Sequence, residues 1–597
     1  MASVTEHDAL NELKAEIVRR GWKFKALADK VGVTNRHLSE VLNGRARLTP
    51  RLGQQIHDAT GIPMSAIPLE STMKILVCDP IAEDGIAILK KGGADVDVKT
   101  GMTSEELKKI VNGYDALVVR SETKITADIL EAASHLQVVG RAGVGVDNID
   151  VAAATEKGVL VVNAPTGNTT SAAEHAIALM FSLSRRIPQA DASLKSGKWE
   201  RGKFLGLELR GKTLGIIGLG QVGSEVARRA RGLEMRVIAF DPFVAEERAR
   251  VLGVDLVPMD EVITDSDFIT VHTTLSEGTK KLIGEDELRR MKPTARVINT
   301  ARGGIIDEVA LVKALDEGVI AGAAIDVFEK EPITDHPLFK QEKVVVTPHL
   351  GASTAEAQER VAIDVAEQIL AVLGGEPARW AVNAPLIDPE EYIYLAPYLP
   401  VAQKVAALAV QLHQGQMGEM EIDYAGDIAQ HDLTPLKAAV IGGLLAKISV
   451  EHVNVVNADI IAERRGLHVK QVTSPSHDIY SNLITVRLGR GNDQTEVAGT
   501  VAHDGAHIVS LDGYWVDVPP GEGYLLLVEN KDQPGRVGAV GTLMGEFGVN
   551  ISFMNVGRHA KSGVALMVMA LDDTLSAEQL ARIKAIDGIL DVRLAQL

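Results

Sequence analysis

The sequence predicts an α/β fold in which parallel strands alternate with crossover helices. Between residues 73 and 347, short apolar runs of strand length alternate with segments of helical periodicity, which is typical of parallel sheets covered by helices. The central unit runs from Thr213 to Asp241 and consists of an apolar run, a glycine-rich turn, an amphipathic helix and a second apolar run. An all-α amino-terminal segment and two α+β segments after residue 388 complete the predicted architecture.

The central turn fits the pattern G-x-G-x-x-G. Its first glycine permits a tight turn, its second lets the backbone approach a pyrophosphate, and its third lets the helix pack closely on the strand. The free N–H groups at the start of the helix would face the phosphates. The carboxylate that ends the next strand would accept hydrogen bonds from ribose hydroxyls and repel a 2′-phosphate. The unit therefore predicts a Rossmann-type domain that binds NAD rather than NADP, with contacts from Gly218, Gly220, Gln221, Val222, Gly223 and Asp241.

Length and composition limit the class of protein. A chain of 597 residues suggests about four domains, and 46% hydrophobic residues are ample for buried cores. The formal net charge of −18 argues against general nucleic-acid binding by the whole molecule. The single cysteine, Cys78, lies in an apolar run, which excludes an intrachain disulfide and fits a reducing compartment. With neither a signal peptide nor an apolar run of membrane-spanning length recognised, a soluble cytoplasmic protein without membrane partner or metal site is predicted.

Residues 1–72 form a separate helical segment with a slight excess of basic residues. An apolar face at Ala26, Leu27 and Val31 is followed by a break, and Thr34 fits the N-cap of a second helix. The pair resembles the helix-turn-helix of repressors and antitoxins, which implies contacts to DNA bases and phosphates from Asn35, Arg36, His37, Ser39, Arg45 and Arg47. The alternative is a small helical bundle with a solvated polar face.

A series of short motifs occurs in order along the α/β region: Val119-Arg120-Ser121, Gly140-Arg141-Ala142-Gly143, Asn163-Ala164-Pro165, Asn299-Thr300-Ala301-Arg302-Gly303-Gly304, Asp326-Val327-Phe328-Glu329-Lys330-Glu331-Pro332 and Pro348-His349-Leu350-Gly351-Ala352. They resemble the D-2-hydroxyacid dehydrogenases, and the first three narrow the resemblance, which covers residues 73–597, to the members that act on 3-phosphoglycerate. The resemblance implies NAD-dependent oxidation of 3-phospho-D-glycerate to 3-phosphooxypyruvate, the first step of L-serine biosynthesis. It also implies a flavodoxin-like substrate domain in two parts, 73–168 and 356–387, on either side of an NAD-binding domain at 169–355.

The same resemblance implies that Arg302, Glu331 and His349 are the catalytic residues, and the chemistry supports this independently. Oxidation at C2 of a 2-hydroxy acid requires removal of the hydroxyl proton, for which histidine titrates in the right range. Glu331 would hold the imidazole in the useful tautomer, and the guanidinium fork of Arg302 suits a carboxylate. Each residue alone has a simpler interpretation, as a loop histidine or a surface charge. Together they predict an active site.

Other contacts are implied by the resemblance alone. Arg120, Ser121 and Arg141 match substrate-side positions, although either arginine could be structural. The further positions that match NAD contacts are Thr273, Ala301 and Asp326. His175 is interpreted as a helix-packing residue rather than a catalytic one.

Two further domains are predicted beyond the minimal dehydrogenase. Residues 388–521 mix helices and strands and resemble the intervening domain of the long form of these enzymes, in which His503 and His507 stand where some relatives bind anions. Residues 522–597 have the βαββαβ order of a ferredoxin-like fold and resemble an ACT regulatory domain. That resemblance implies L-serine bound between subunits of a homo-oligomer, a dimer or tetramer, by Asn530, Asp532 and Asn550. The alternative is a purely structural dimerisation module.

Two other functions remain open from the sequence. The chain could be a dehydrogenase for another D-2-hydroxy acid or for 2-oxoglutarate. It could also be a DNA-binding regulator that uses the enzyme body as a ligand sensor, although the presence of Arg302, Glu331 and His349 argues against an inactive enzyme.

Overall fold

The computed structural model describes most of the chain after residue 72 and part of the amino-terminal segment. The described residues are 13, 14, 16–31, 38, 39, 42, 56, 59, 60, 62, 73–385, 387–415, 418–446, 453–491, 494–502, 505–519, 521, 523–558 and 563–596. The predicted DNA-contacting residues Asn35, Arg36, His37, Arg45 and Arg47 lie outside them, as does His503. The DNA-binding hypothesis therefore stays a prediction.

The amino-terminal segment has an apolar core of its own. Helix α1 (Phe24–Val31) carries the predicted apolar face, and its Leu27 is fully buried. The cluster around it is drawn from the same segment: Leu13, Ile17, Leu27, Ala28, Val31, Leu38, Leu42, Ile56 and Ile62. The described apolar residues of this segment thus pack on one another.

The next domain is a five-stranded parallel sheet with the flavodoxin-like strand order β2-β1-β3-β4-β5. Its strands and helices are β1 (Lys74–Val77), α2 (Glu83–Lys91), β2 (Asp95–Val98), α3 (Ser104–Ile110), β3 (Ala116–Val119), α4 (Ala127–Ala132), β4 (Val138–Arg141), α5 (Val151–Glu156) and β5 (Leu160–Asn163). The strands β3 and β5 are apolar because both faces of the sheet are covered. This agrees with the predicted fold class.

A helix from much later in the chain, α13 (Ala355–Leu373), closes one face of this sheet. Thr354 caps it by accepting from the Ala357 N–H at 3.2 Å. A Cβ added at Gly140 of β4 would lie 2.5 Å from a Val365 methyl group, so the helix packs directly against the strand. Residues on both sides of the nucleotide-binding region therefore share one core.

Between these two parts lies a seven-stranded parallel sheet with the order β12-β11-β10-β9-β6-β7-β8. Its elements are α6 (Thr169–Arg185), α7 (Ile187–Lys195), β6 (Thr213–Ile217), α8 (Gln221–Gly232), β7 (Arg236–Phe240), α9 (Glu246–Leu252), β8 (Asp255–Leu256), α10 (Met259–Asp265), β9 (Phe268–Val271), α11 (Glu285–Arg290), β10 (Arg296–Asn299), α12 (Glu308–Asp316), β11 (Gly322–Ile325) and β12 (Val344–Val346). The strand order reverses between β6 and β9, and ligands of such sheets bind at that switch point. The predicted Rossmann-type architecture is confirmed.

The third domain has a six-stranded sheet with the order β14-β13-β15-β16-β17-β18. Its elements are α14 (Pro389–Leu395), α15 (Leu399–Leu412), β13 (Glu419–Gly426), α16 (Thr434–Ala446), α17 (Ala458–Arg464), β14 (His468–Ser474), β15 (Asn482–Leu488), β16 (Thr495–Ala502), β17 (Gly505–Leu511) and β18 (Tyr514–Val518). The helical stretch Glu390–Leu412 is long and apolar enough to cross a membrane, contrary to the sequence-based expectation. Its second half packs into the core of this domain, where Val401, Val405 and Ala409 are fully buried.

The last domain has the predicted βαββαβ order, with an antiparallel sheet β20-β21-β19-β22. Its elements are β19 (Tyr524–Lys531), α18 (Arg536–Phe547), β20 (Ile551–Arg558), β21 (Val564–Leu571), α19 (Ala577–Lys584) and β22 (Ile589–Gln596). Leu526 and Val528 face its own helices. Leu525 and Leu527 point the other way, into the core that contains α15. The third and fourth domains thus share one apolar core.

Candidate active site

The predicted acid–base pair is formed in the structure. His349 Nδ1 lies 2.6 Å from Glu331 Oε2, and Glu331 Oε1 accepts from the Phe328 N–H at 2.8 Å. Burial by itself would raise the pKa of the Glu331 carboxyl, but the bonds from His349 and Phe328 outweigh it and hold that pKa below its usual value. A charged carboxylate accepts only, so His349 Nδ1 donates and its Nε2 is left as the proton acceptor. With 43% of its side chain exposed, His349 is open to a substrate.

The loop that carries His349 is held by one buried carboxylate. Asp326, at 0% exposure, follows β11. Its side chain accepts from the N–H groups of Leu350 at 2.7 Å and Gly351 at 2.9 Å and from the Thr347 hydroxyl at 2.6 Å. Its carbonyl accepts from the His349 N–H at 2.8 Å. His349 itself has a left-handed backbone, with φ of 55°, so these bonds hold a conformation that is strained for a side chain with a Cβ.

Arg302 follows β10 and reaches across to the first sheet. Its Nε lies 3.2 Å from Asp147 Oδ2, and its Nη1 donates to the Ala301 carbonyl at 2.7 Å. The buried side chain of Asn299 shapes this turn by donating to the Arg302 carbonyl at 2.8 Å and accepting from the Ala301 N–H at 3.0 Å. A Cβ at Gly145 would lie 1.8 Å from Arg302 Nη2, so a larger residue there would displace the guanidinium. The cleft between the two sheets is therefore bridged at Arg302.

Two more guanidinium groups face the same place. Burial, followed by the positive charges of Arg302 and Arg120, lowers the pKa of Arg141 to about 10. The Nε of Arg141 is buried without a hydrogen-bond partner among the described residues. The three cations outnumber Asp79 and Asp147, the two carboxylates that act on Arg141, and Arg141 keeps an unused donor. An anionic ligand with more than one acidic group fits this site.

The loop after β3 is fixed by Asp79, whose side chain is 1% exposed. Its carboxylate accepts from the N–H of Arg120 at 2.6 Å and from the Thr123 hydroxyl at 2.5 Å. Asn148 donates to the carbonyls of the same two residues. Ser121 lies exposed on this loop, so the predicted substrate-side residues Arg120 and Ser121 share one rigid support.

The glycine-rich turn has the geometry expected of a dinucleotide site. Gly218 has φ of 92°, and a Cβ at Gly223 would lie 2.1 Å from the Gly218 carbonyl oxygen. A Cβ at Gly220 would meet nothing within 4 Å, so that side of the turn is open to a ligand. Helix α8 begins at Gln221 without a side-chain cap. Its N–H groups are therefore available to a pyrophosphate, and the residues present fit a dinucleotide.

The other predicted cofactor positions surround this turn. Asp241 accepts from the Leu219 N–H at 2.8 Å and the Phe243 N–H at 2.9 Å, which fixes its carboxylate beside the turn. Val222 packs into the core of the sheet. The hydroxyl of Thr273 is buried without a partner among the described residues, and the carboxylate of Asp326 already accepts from three groups described above. Their contacts with a nucleotide stay predictions.

Three parts of the chain match known protein families. Residues 177–351 match the family model "D-isomer specific 2-hydroxyacid dehydrogenase, NAD binding domain". Residues 394–511 match the D-3-phosphoglycerate dehydrogenase intervening domain, and residues 524–585 match the ACT domain. The D-3-phosphoglycerate dehydrogenase of Archaeoglobus fulgidus is 44% identical over 528 residues, which are 88% of this chain and 100% of the relative. The chain belongs to the D-3-phosphoglycerate dehydrogenase family.

A second relative and one solved structure are also similar to this chain. The D-3-phosphoglycerate dehydrogenase of Bacillus subtilis is 41% identical over 525 residues, covering 88% of this chain and 99% of the relative. Among solved structures, the D-lactate dehydrogenase of Escherichia coli is 28% identical and covers 52% of this chain and 100% of its own, with a TM-score of 0.47. Membership of the family confirms NAD as the cofactor and the ACT domain at the carboxyl end.

The residues predicted to bind an effector in the ACT domain do not lie together in one chain. Asn530 and Asp532 lie beside the start of β21, since Asn530 pairs with Ala565. Asn550 lies beyond the other end of that strand, where its amide donates to Asp572 at 2.7 Å. At about 3.3 Å per residue, the two groups are roughly 20 Å apart. Within one chain the three side chains do not meet.

Sequence reasoning missed several supporting residues of the family site. Asp79 and Asp147 contact the predicted residues and occupy no recognised motif. Asn299 stands in a recognised motif, but no role was predicted for its side chain. A signal existed for Asp79 and Asn299, since both stand at the carboxyl ends of strands, where ligands and their supports collect in open α/β sheets. Asp147 gave no such signal.

Proposed function

We propose that this protein oxidises 3-phospho-D-glycerate to 3-phosphooxypyruvate with NAD, the step that opens L-serine biosynthesis. The observation that carries the proposal is the Glu331–His349 bond, whose residues follow β11 and β12. Arg302 follows the neighbouring strand β10 and acts, with Arg120, on the charge of Arg141. The curated relatives named above carry the corresponding name over the length of the domains that contain this site. A substrate with a carboxylate and a phosphate supplies further negative charge, for which three arginines can compete with Asp79 and Asp147.

In this proposal the chain's residues bind, orient and deprotonate the substrate. Arg302 holds the carboxylate, while Arg120, Ser121 and Arg141 hold the phosphate. His349 Nε2 takes the proton of the C2 hydroxyl, and Glu331 stabilises the imidazolium that results. NAD, when bound, accepts the hydride from C2. The proton and the hydride together account for the two hydrogens that leave C2 and its oxygen.

Cofactor contacts are proposed from the same arrangement. The turn residues Gly218, Gly220, Gln221, Val222 and Gly223 would cradle the pyrophosphate, and Asp241 the adenosine ribose. Thr273, Ala301 and Asp326 would lie along the nicotinamide side. The proposed domains keep the bounds expected from the sequence.

The test is a substrate profile of the purified protein, read as NADH absorbance. We expect reduction of NAD with 3-phosphoglycerate and at least a hundredfold lower kcat/KM with D-lactate or 2-hydroxyglutarate, because neither fills the phosphate position. Replacement of Arg141 with leucine should raise KM for 3-phosphoglycerate more than KM for D-lactate. A wild-type preference for an unphosphorylated acid would overturn the substrate assignment and leave the dehydrogenase assignment intact.

Regulation by serine is proposed for a homo-oligomer. The distance between Asn530 and Asn550 in one chain supports a site made by two chains, in which Asn530 and Asp532 of one meet Asn550 of the other. Serine bound there would bias the equilibrium between open and closed clefts. The test is inhibition of the oxidation by L-serine, with D-serine as the control ligand.

Self-association is also supported by an exposed apolar region on the NAD-binding domain. Ile187, Leu194, Trp199 and Leu205 are 51%, 57%, 83% and 89% exposed within a span of 19 residues. Large apolar side chains exposed this close together in the sequence favour a protein interface, and a second copy of this chain is the proposed occupant. Light scattering of wild type and a Trp199→Glu variant tests a dimer or tetramer. The proposed location is the cytoplasm.

A further inference from the structure

His175 lies on α6, far in sequence from the residues assigned to chemistry, yet it reaches their support. Its Nε2 is 3.2 Å from Asp326 Oδ1 and 3.2 Å from Thr347 Oγ1. The side chain is 18% exposed, so it is part of the wall behind the His349 loop. A residue that only packed a helix would place carbon atoms there.

The direction of this hydrogen bond follows from the donors present. The Thr347 hydroxyl donates its one hydrogen to Asp326 Oδ1 at 2.6 Å. A carboxylate has no hydrogen to give, so His175 Nε2 must carry the hydrogen and donate it. His175 thus completes a shell of four donors around Asp326, with Thr347 and the N–H groups of Leu350 and Gly351.

The charge state of Asp326 depends on this shell. Burial alone would raise the pKa of its carboxyl, and the hydrogen bonds, with that from His175 the largest, reverse the effect and hold the pKa below its usual value. A buried carboxylate that loses a donor becomes less stable in its charged form. The hydrogen bonds that the Asp326 carboxylate accepts from residues 347–351 then weaken.

Loss of the hydrogen bond from His175 would affect catalysis through the backbone of residues 347–351. His349 adopts φ of 55° and is held by its N–H bond to the Asp326 carbonyl at 2.8 Å. A positive φ is unfavourable for a residue with a Cβ, so the loop relaxes when its bonds weaken. Relaxation moves the imidazole relative to Glu331 and to the substrate, and displacements of about 1 Å cost up to ~10²-fold in rate.

We propose that His175 is a positioning residue for this reaction: by donating to Asp326 it holds the loop that presents His349 to the substrate hydroxyl. The inference rests on the proposed oxidation, because turnover is one of its measures. His175 touches neither the substrate nor the reacting atoms in this role. It acts through Asp326.

The experiment compares His175→Leu, which removes the donor, with His175→Gln, which keeps an N–H donor. The matched control is His413→Leu in the third domain, where His413 Nδ1 bonds the Thr495 hydroxyl at 3.2 Å. Steady-state kcat and both KM values are measured, together with hydrogen–deuterium exchange of the peptide that contains the amides of His349, Leu350 and Gly351.

We expect His175→Leu to lower kcat about tenfold or more, to change KM for NAD less than threefold, and to speed exchange in residues 347–351. His175→Gln should recover most of the turnover and protection, and His413→Leu should change neither. A His175→Leu enzyme with wild-type kcat and wild-type exchange would overturn the proposal, as would a glutamine variant as impaired as leucine. If His175→Leu does not fold, His175→Asn, whose amide is too short to reach Asp326, replaces it.

The exchange measurement needs no substrate, which separates the two hypotheses. Should wild type fail to oxidise 3-phosphoglycerate, the proposed function fails while faster exchange in His175→Leu still supports the positioning role. Should wild type be active and exchange stay unchanged in the variant, the positioning role fails alone.

Discussion

Replacement of Glu331 by glutamine tests the acid–base pair most directly. The amide preserves the shape of the side chain and can still accept from the Phe328 N–H, now 2.8 Å from Glu331 Oε1. It lacks the charge that stabilises the imidazolium of His349 during proton removal. The substitution therefore isolates an electrostatic contribution made mainly as the proton is transferred.

The magnitude follows from the distance between the charges. The bond is 2.6 Å long, which puts the centres of the two charged groups about 4 Å apart, where opposite charges attract by about 4 kcal/mol at an effective dielectric constant of 20. Both side chains are partly exposed, at 43% and 33%, so we halve the value to about 2 kcal/mol. That corresponds to a fall in kcat of about 30-fold.

The assay is steady-state oxidation of 3-phosphoglycerate, with a C2-deuterated substrate to verify that hydride transfer limits the rate. KM for NAD should change little, because Glu331 is not part of the glycine-rich turn. Glu329→Gln, an exposed residue of the same loop, is the control and should retain wild-type turnover. A Glu331→Gln enzyme within threefold of wild-type kcat would refute the reasoning.

Further substitutions test the remaining parts of the molecule. Asp241→Ala should raise KM for NAD about tenfold and narrow the preference over NADP, measured with both cofactors, since the ribose acceptor and the repulsion of a 2′-phosphate are lost together. The Asp326 carboxyl has a lowered pKa in the folded chain, so its charge stabilises the fold above its unfolded pKa of about 3.9, and that stabilisation is lost as the pH falls through the folded pKa. Asp326→Asn should accordingly lower Tm at pH 7, and the difference from wild type should shrink below about pH 4. Asn550→Ala should abolish serine inhibition while uninhibited kcat stays within twofold of wild type; equal inhibition of both enzymes would exclude Asn550 from the effector site. Removal of residues 1–72 should spare turnover and serine response, and a folded but inactive truncation would contradict this.

The features that were predictable from sequence are those whose information lies in neighbouring residues. The glycine-rich turn and Asp241, which follows the next strand, can be recognised because the strand, turn, helix and second strand are contiguous in the sequence. The Rossmann-type class of the domain follows from the alternation of strands and helices around that turn. The order of the strands in the sheet was not predicted. The motifs that contain Arg302, Glu331 and His349 were sufficient to indicate a dehydrogenase.

The features that were not predictable depend on contacts between distant parts of the chain. Asp147 meets Arg302 across 155 residues, and His175 meets Thr347 across 172 residues. No periodicity or spacing encodes such pairs. The interpretation of His175 as a packing residue left out its hydrogen bond for the same reason. The apolar helix ending at Leu412 was overlooked as a continuous stretch because prolines interrupt its sequence pattern.

The shared core of the third and fourth domains has a mechanical consequence. Helix α15 packs between their sheets, and Gln411 on it exchanges two hydrogen bonds with the backbone of Gln596. A rotation of the ACT domain should therefore move the intervening domain with it, so that the two domains act as one rigid unit. This unit contacts the substrate domain through Asn454 and Val456. Asn454 donates to the Gly158 carbonyl at 2.7 Å, and Val456 packs against the core of the substrate domain. A movement of the ACT domain would therefore be transmitted to the substrate domain, which forms the side of the cleft opposite Arg302.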